Sequence, residues 1–348
     1  VSLRFPHSQA FVGPEEEAAA QAVLRAGTLA SGPELERFEK AVAAHAGRAF
    51  GVATSNGTTA LHLVMAAHGV APGDEVILPT TVCQGVLHAV EYTGATPVIA
   101  DVNGDDFNLS VDAVRRLLTS KTRLVIVPHL FGVLSDVKGL ARLGVTMLED
   151  CAQSIGATGE GRLGLATVYS FYSTKLLSAG DGGVAVCDDA ALVAKMKDLR
   201  YYGGKTTPGT RFNYKMQNLQ AAIGLAQLPR LEGFLARRRA LVRRYDRHFE
   251  NARGLRIALR HPAGSACYRY LLHVEGDRER VERAAAKRGV QLGHGVLQPL
   301  HDFLGRAPDD FPNATRLCRG LVSVPLYPTL TDEDADEIAG IVLEASAP

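Results

Sequence analysis

From residue 51 onward, short β-branched and aliphatic runs alternate with longer segments of helical period, and this alternation constrains the fold more than any other feature. Strands read at 51–54, 76–79, 97–101, 124–128, 145–150, 168–172 and 184–187. Helices read between them at 59–68, 82–92, 111–118 and 190–199, the last introduced by Asp188 and Asp189 as acceptors for its first free N–H groups. Several strands are apolar throughout rather than alternating, as happens when helices cover both faces of a sheet. The expectation is an α/β domain built on a mostly parallel sheet with crossover helices.

The character changes after Pro229. Arg237-Arg238-Arg239 and Arg243-Arg244 stud a helical stretch that runs to about Asn251. They recur among Leu231, Phe234, Leu235, Leu241 and Tyr245 at helical spacing, which reads as a solvated helix face rather than a phosphate or RNA site. Beyond it come a strand at 268–274, a helix at 277–288, a strand at 322–326 and a closing helix at 332–345. A chain of 348 residues accommodates two domains, and the expected division is 1–235 for the large α/β domain and 236–348 for a smaller α+β domain.

Charge and cysteine usage exclude several classes. Thirty-eight Lys+Arg against 37 Asp+Glu leave a formal charge of +1, so no bulk field draws the chain to nucleic acid or to an anionic membrane. No run approaches the ~18 apolar residues of a membrane helix, and Val1-Ser2-Leu3-Arg4-Phe5-Pro6 shows no basic head followed by an apolar stretch, so a cytoplasmic location is expected. Cys83, Cys151, Cys187, Cys267 and Cys318 are odd in number and lack a CxxC pair, which argues against a disulfide framework and a zinc site. The histidines form no HExxH, and no metal is expected.

Four segments carry chemistry. Gly159-Glu160-Gly161-Arg162-Leu163-Gly164 matches GxGxxG, but a strand-like run follows it where a dinucleotide site needs a helix, so it reads as a turn-rich connection. The run 54–61, with Gly57, Thr58 and Thr59, follows a strand and opens a helix; this is an anion cradle or an ordinary helix cap. Asp150 ends a strand at the edge where open α/β sheets bind ligands, a place where Asp is also a common cap. Lys175 follows another strand that carries Ser170, and precedes Gly180-Asp181-Gly182-Gly183; alone, such a lysine is usually a solvated charge. Together, a phosphate cradle, a carboxylate and a lysine on one sheet edge are the parts that pyridoxal phosphate needs.

At these residues the sequence resembles the DegT/StrS-type sugar aminotransferases, within the fold type I pyridoxal phosphate enzymes. The resemblance covers nearly the whole chain. It runs through Gly27-Thr28-Leu29-Ala30-Ser31-Gly32-Pro33, Ser55-Asn56-Gly57-Thr58-Thr59-Ala60-Leu61, Gly73-Asp74-Glu75-Val76-Ile77-Leu78-Pro79 and Pro128-His129-Leu130-Phe131-Gly132. It continues through Glu149-Asp150-Cys151-Ala152-Gln153, Ser170-Phe171-Tyr172-Ser173-Thr174-Lys175, Phe212-Asn213-Tyr214-Lys215-Met216 and Pro299-Leu300-His301.

The resemblance implies a seven-stranded large domain and a smaller C-terminal one, with pyridoxal phosphate as cofactor. It implies Lys175 as the Schiff-base lysine, Asp150 as partner of the ring nitrogen and Gln153 near the phenolic oxygen. Phosphate contacts are expected from Gly57, Thr58, Thr59 and Ser170, and from Asn213 of a neighbouring subunit in a homodimer; Asn213 as a cap of the helix that follows is the alternative. His301 is expected at the substrate.

Three positions depart from the family pattern. Cys83 stands where an aromatic residue commonly stacks on the cofactor ring, and reads as a small apolar residue there. Lys215 replaces an arginine, a point charge in place of a bidentate fork. The His-Tyr pair before Pro299-Leu300-His301 is absent. The function expected is transfer of an amino group from glutamate or glutamine to a keto-sugar, nucleotide-linked, or to a cyclitol ketone. Elimination with the same cofactor is the runner-up, and a non-catalytic binding homologue is a third reading.

Overall fold

The computed structural model describes residues 3–347; Val1 and Ser2, which open the segment read above for a leader, and Pro348 lie outside these. Seven strands form one sheet: β1 (Phe50–Thr54), β2 (Glu75–Pro79), β3 (Thr96–Ala100), β4 (Thr122–Pro128), β5 (Met147–Asp150), β6 (Ala166–Ser170) and β7 (Gly183–Cys187). Their order is β1-β7-β6-β5-β4-β2-β3. Only β7 runs against its neighbours β1 and β6, while the other pairings are parallel. Each strand lies within two residues of its sequence expectation.

The uninterrupted apolar strands are explained by the period of 2. Along β4, Leu124 and Ile126 enter the core beneath the helix Gly57–His68, whereas Val125 and Val127 enter a second core on the opposite face with Ile77 and Leu140. Both faces of β4 are covered by core, so its interior residues are apolar on either side. The parallel strands consequently end on one edge, where Thr54, Pro128, Asp150 and Ser170 lie together. The strand expected to reach Tyr172 stops at Ser170, because Phe171 N–H turns back to Gly182 O at 2.8 Å.

A second, antiparallel sheet has the order β10-β9-β8, from β8 (Leu255–Ile257), β9 (Tyr270–Val274) and β10 (Leu321–Val324). At three residues β8 is too short to leave a pattern in the sequence. The helix Leu231–Phe249 joins the two layers: Leu231, Phe234 and Leu235 pack with Tyr169 and Phe171, and Leu241, Val242, Tyr245 and Phe249 pack with β9 and β10.

Of the arginines read as a solvated face, Arg243 is exposed as expected, but the others are engaged by the protein. Arg238 is buried and donates to Tyr268 O and Leu326 O. Arg237 and Arg244 pair with Asp332, and Arg239 reaches Ser265 O. The helical period located the helix correctly but did not reveal that its polar face packs against the closing helix Asp332–Ser346. Among the described residues, no helix is long and apolar enough to cross a membrane.

Gly183 is where the reversed strand meets the ligand edge. It pairs with Thr54 on one side and Ser170 on the other, and an added Cβ would lie 2.3 Å from Asn56 O. Backbone on that side has no room to yield. Gly183→Ala should therefore lower stability by about 1–3 kcal/mol in denaturant unfolding. Gly233→Ala, in a helix with nothing within 4 Å of the new Cβ, should be neutral or stabilising by up to about 1 kcal/mol. Equal effects of the two substitutions would contradict this account.

Candidate active site

The helix Gly57–His68 begins where β1 ends. Asn56 Oδ1 accepts the Thr59 N–H at 2.9 Å, and the Asn56 N–H donates back to Thr59 Oγ1 at 3.2 Å. This box satisfies the third amide of the helix but not the first two. The Gly57 and Thr58 amides find no acceptor among the described residues. Gly57 also allows a close approach, since an added Cβ would stand 3.0 Å from Ser170 Cβ. The sequence offered a cradle or an ordinary cap; the structure has a cap that leaves two amides open toward Ser170.

A cavity of about 530 Å³ lies on this edge, lined by Gly57, Thr58, Thr59, Cys83, Asp150, Ser170 and Lys175, with Leu61, Val86, His88 and Tyr92 toward its outer wall. Cys83 is exposed at the start of the helix Gln84–Glu91. A smaller recess shares Cys83, Asp150 and Lys175 and extends to His129 and Gln153, whose Oε1 accepts the Phe131 N–H at 2.8 Å.

Asp150 accepts the Ala152 N–H at 3.0 Å through Oδ1. Its second oxygen has no hydrogen-bond partner among the described residues. Burial pushes the Asp150 carboxyl up, and the Ala152 amide, Lys175 and His129 offset this only in part. A buried carboxylate with an open oxygen is completed by a cationic N–H donor, so the site fits a protonated ring nitrogen at Asp150 and a phosphate at the open amides.

His301 is not brought to this cavity, and Asn213, expected at a neighbouring subunit's site, lies apart from it. Asn213 is exposed and bridges to Tyr201. It does not cap the following helix, which starts at Asn218 after Gln217. His301 is buried away from the cavity wall: Nδ1 meets Thr80 Oγ1 at 2.7 Å, Nε2 meets Thr315 Oγ1 at 3.3 Å, and the ring stacks on Phe311. Lys215 lies 3.7 Å over the Tyr201 ring.

The glycine pattern at 159–164 has a different use. Gly161, Leu163 and Gly164 donate their amides to the Glu149 carboxylate at 3.1, 2.8 and 2.6 Å. His129 Nδ1 accepts the Ser135 N–H at 3.1 Å, which leaves the proton on Nε2 to be donated to Glu149 at 3.1 Å. Burial alone would raise the Glu149 carboxyl; His129 and the loop amides outweigh it and hold the group below its ordinary value. Sequence reasoning quoted His129 and Glu149 only within motifs, because ligands supplied by backbone amides leave no residue type to find.

Solved structures place this architecture. The aminotransferase TlmJ from Streptoalloteichus hindustanus superposes with a TM-score of 0.90 at 31% identity, covering 98% of each chain. DesV of S. venezuelae, solved in complex with a ketimine intermediate, gives 0.88 at 30% identity over 96% of this chain and 95% of its own. The fold is that of the fold type I pyridoxal phosphate aminotransferases. The GDP-perosamine synthase of Caulobacter vibrioides is 33% identical over 86% of this chain and 87% of its own. Residues 11–343 match the model of the DegT/DnrJ/EryC1/StrS aminotransferase family, and the chain belongs to that family.

Glu160, in the glycine-rich connection, is buried, with Oε1 accepting the Gly156 N–H at 2.6 Å. Burial, only partly offset by that amide, pushes its carboxyl up to about 8. The folded protein thus keeps a proton that the unfolded chain releases near ~4.3. The stabilisation is complete below the unfolded value and is lost as pH rises through about 8. Glu160→Gln keeps the acceptor and removes the titration. Its Tm relative to wild type should rise between pH 5 and pH 9; a constant offset would show that Glu160 is ionised throughout.

Proposed function

We propose that this chain uses pyridoxal phosphate to move an amino group from glutamate or glutamine to a keto-sugar, nucleotide-linked, or to a cyclitol ketone. The observation that carries the reading is the single cavity that joins two open helix amides, Ser170, the open oxygen of Asp150 and Lys175. When bound, the cofactor supplies an aldehyde for the lysine amine and a cationic ring that takes up electrons released at the amino-acid carbon.

In this reading Lys175 Nζ is the anchoring amine. Freed from the cofactor, Nζ would carry a proton from the donor carbon to the cofactor's aldehyde carbon, and in the second half-reaction from that carbon to the acceptor carbon. Asp150 keeps the ring nitrogen protonated. Gly57, Thr58, Thr59 and Ser170 would hold the phosphate, Gln153 would serve the phenolic oxygen, and Cys83 would pack on the ring as a small apolar group. His301 supports Thr80 on the strand edge rather than touching substrate.

The working unit in this proposal is a cytoplasmic homodimer, with Asn213 reaching the phosphate of the partner's site. Exposure of Asn213 between two aromatic residues supports this. The proposed division at 235/236 is supported by the helix Leu231–Phe249, whose two ends pack in different cores.

Borohydride reduction and peptide mapping should place a pyridoxyl label on Lys175, and Lys175→Ala should lower turnover by at least about 10⁴-fold. A label on Lys205 or Lys215 would overturn the assignment. Glutamate or glutamine alone should convert the aldehyde form to the amine form with stoichiometric 2-oxo acid. No conversion with any common amino acid would favour elimination instead.

The subunit test mixes Lys175→Ala with Asn213→Ala. If Asn213 acts across the dimer, both lesions fall in one site of each heterodimer and the other site recovers. Heterodimers without recovery would place its action within its own chain.

A further inference from the structure

One side chain beyond those assigned above stands against Lys175. Tyr268 is 5% exposed, and Lys175 Nζ lies 5.4 Å from the centroid of its ring. The Arg269 guanidinium carbon is 4.4 Å from the same centroid, and Arg269 Nη2 donates to the phenol oxygen at 3.2 Å. Arg269 Nη1 donates to Ser8 Oγ at 2.8 Å, which fixes the guanidinium from its other end.

The backbone is strained around this placement. Phe131 has φ 57° and Cys267 has φ 51°, left-handed values that residues with side chains avoid. The two stand at one junction, because Tyr268 N–H donates to Phe131 O at 2.9 Å and Ala266 N–H donates to Gly132 O at 3.0 Å. Phe131 N–H in turn donates to Gln153 Oε1, so the junction links Tyr268 to the recess beside Asp150. Arg238, from the helix Leu231–Phe249, donates to Tyr268 O at 3.3 Å. Such strain persists only where surrounding contacts over-determine it.

We propose that Tyr268, held by Arg269, is a positioning residue for Lys175: its ring face receives the lysine amine, and its phenol, anchored by the guanidinium, tunes the lysine's readiness to hold a proton. This rests on Lys175 being the lysine that carries the cofactor. The charged and polar groups facing the phenol are Lys175 and Thr174 from the loop after β6, Arg269 beside it, and Arg238. Burial would raise the phenol, but Lys175, Arg269, Thr174 and Arg238 outweigh it and bring it down to about 8. The phenol is therefore poised to change charge close to the pH at which a lysine base must work, with its ring 5.4 Å from Nζ.

The test uses the holoenzyme and reads the pH titration of the bound cofactor's absorbance, with steady-state rates alongside. Tyr268→Phe keeps the ring and removes the hydroxyl; Tyr268→Leu removes both. An anion or a ring face beside the lysine nitrogen favours its protonated form, so the midpoint should fall by about half a unit in Tyr268→Phe and about one unit in Tyr268→Leu. In both, kcat should fall with KM nearly unchanged.

A midpoint within about 0.1 unit of wild type in both variants overturns the proposal whatever their rates, since such a change lies below any interaction of this kind. If Tyr268→Leu fails to fold or to retain cofactor, Tyr268→Phe decides alone by the same criterion. Borohydride mapping of the wild type separates the two levels. A label elsewhere than Lys175 refutes the underlying assignment, while a label on Lys175 with an unmoved midpoint refutes the role of Tyr268 alone.

Discussion

A carboxylate buried between two strands has to be neutralised or richly solvated by the protein, and Glu149 is solvated by four donors. Those donors come from the end of β4 and from the loop before β6, on either side of its own strand β5. Removing any of them would leave a buried charge short of partners, so the three segments are held in one arrangement. Asp150, the next residue, inherits that arrangement. Its direction, and the position of β6 with Ser170 at its end, follow from a neighbour that touches no ligand.

Asp150 is the counter-example in the same strand. Glu149 faces a cage of amides and is held ionised, whereas Asp150 has a single amide and an open oxygen, and burial pushes it toward the neutral form. Adjacent carboxyls on opposite faces of one strand thus have opposite electrostatics. The first is complete within the chain, and the second awaits a cation.

The sheet was legible in the sequence because its strands are buried on both faces and flanked by helices with clear period and caps; Leu124 to Val127 serve two cores at once. That Gly57, Thr58, Thr59, Asp150, Ser170 and Lys175 gather at one cavity was legible because they lie at or just beyond strand ends on one edge of the sheet. The burial of His301 was not legible because a motif gives neighbourhood in sequence, and the stacking on Phe311 that covers it comes from a segment ten residues on. Arg238 and Tyr268 were not legible at all. Both depend on how the helix Leu231–Phe249 sits against distant carbonyls, which no local pattern encodes. The amide cage of Glu149 escaped for a related reason, since backbone donors carry no residue identity.

The reversal of β7 also determines how Lys175 is tethered. Phe171 N–H to Gly182 O at 2.8 Å and Ala179 N–H to Phe171 O at 2.9 Å bring the two ends of the intervening segment together. Lys175 therefore rides on a nearly closed ring of chain, an Ω-like excursion whose entry and exit share one hydrogen-bonded neck. Deformation within that ring need not be transmitted through the neck, so the lysine is mechanically insulated from the sheet that positions it. Substitutions inside the ring are free to retune the lysine's reach while the seven strands stay in register.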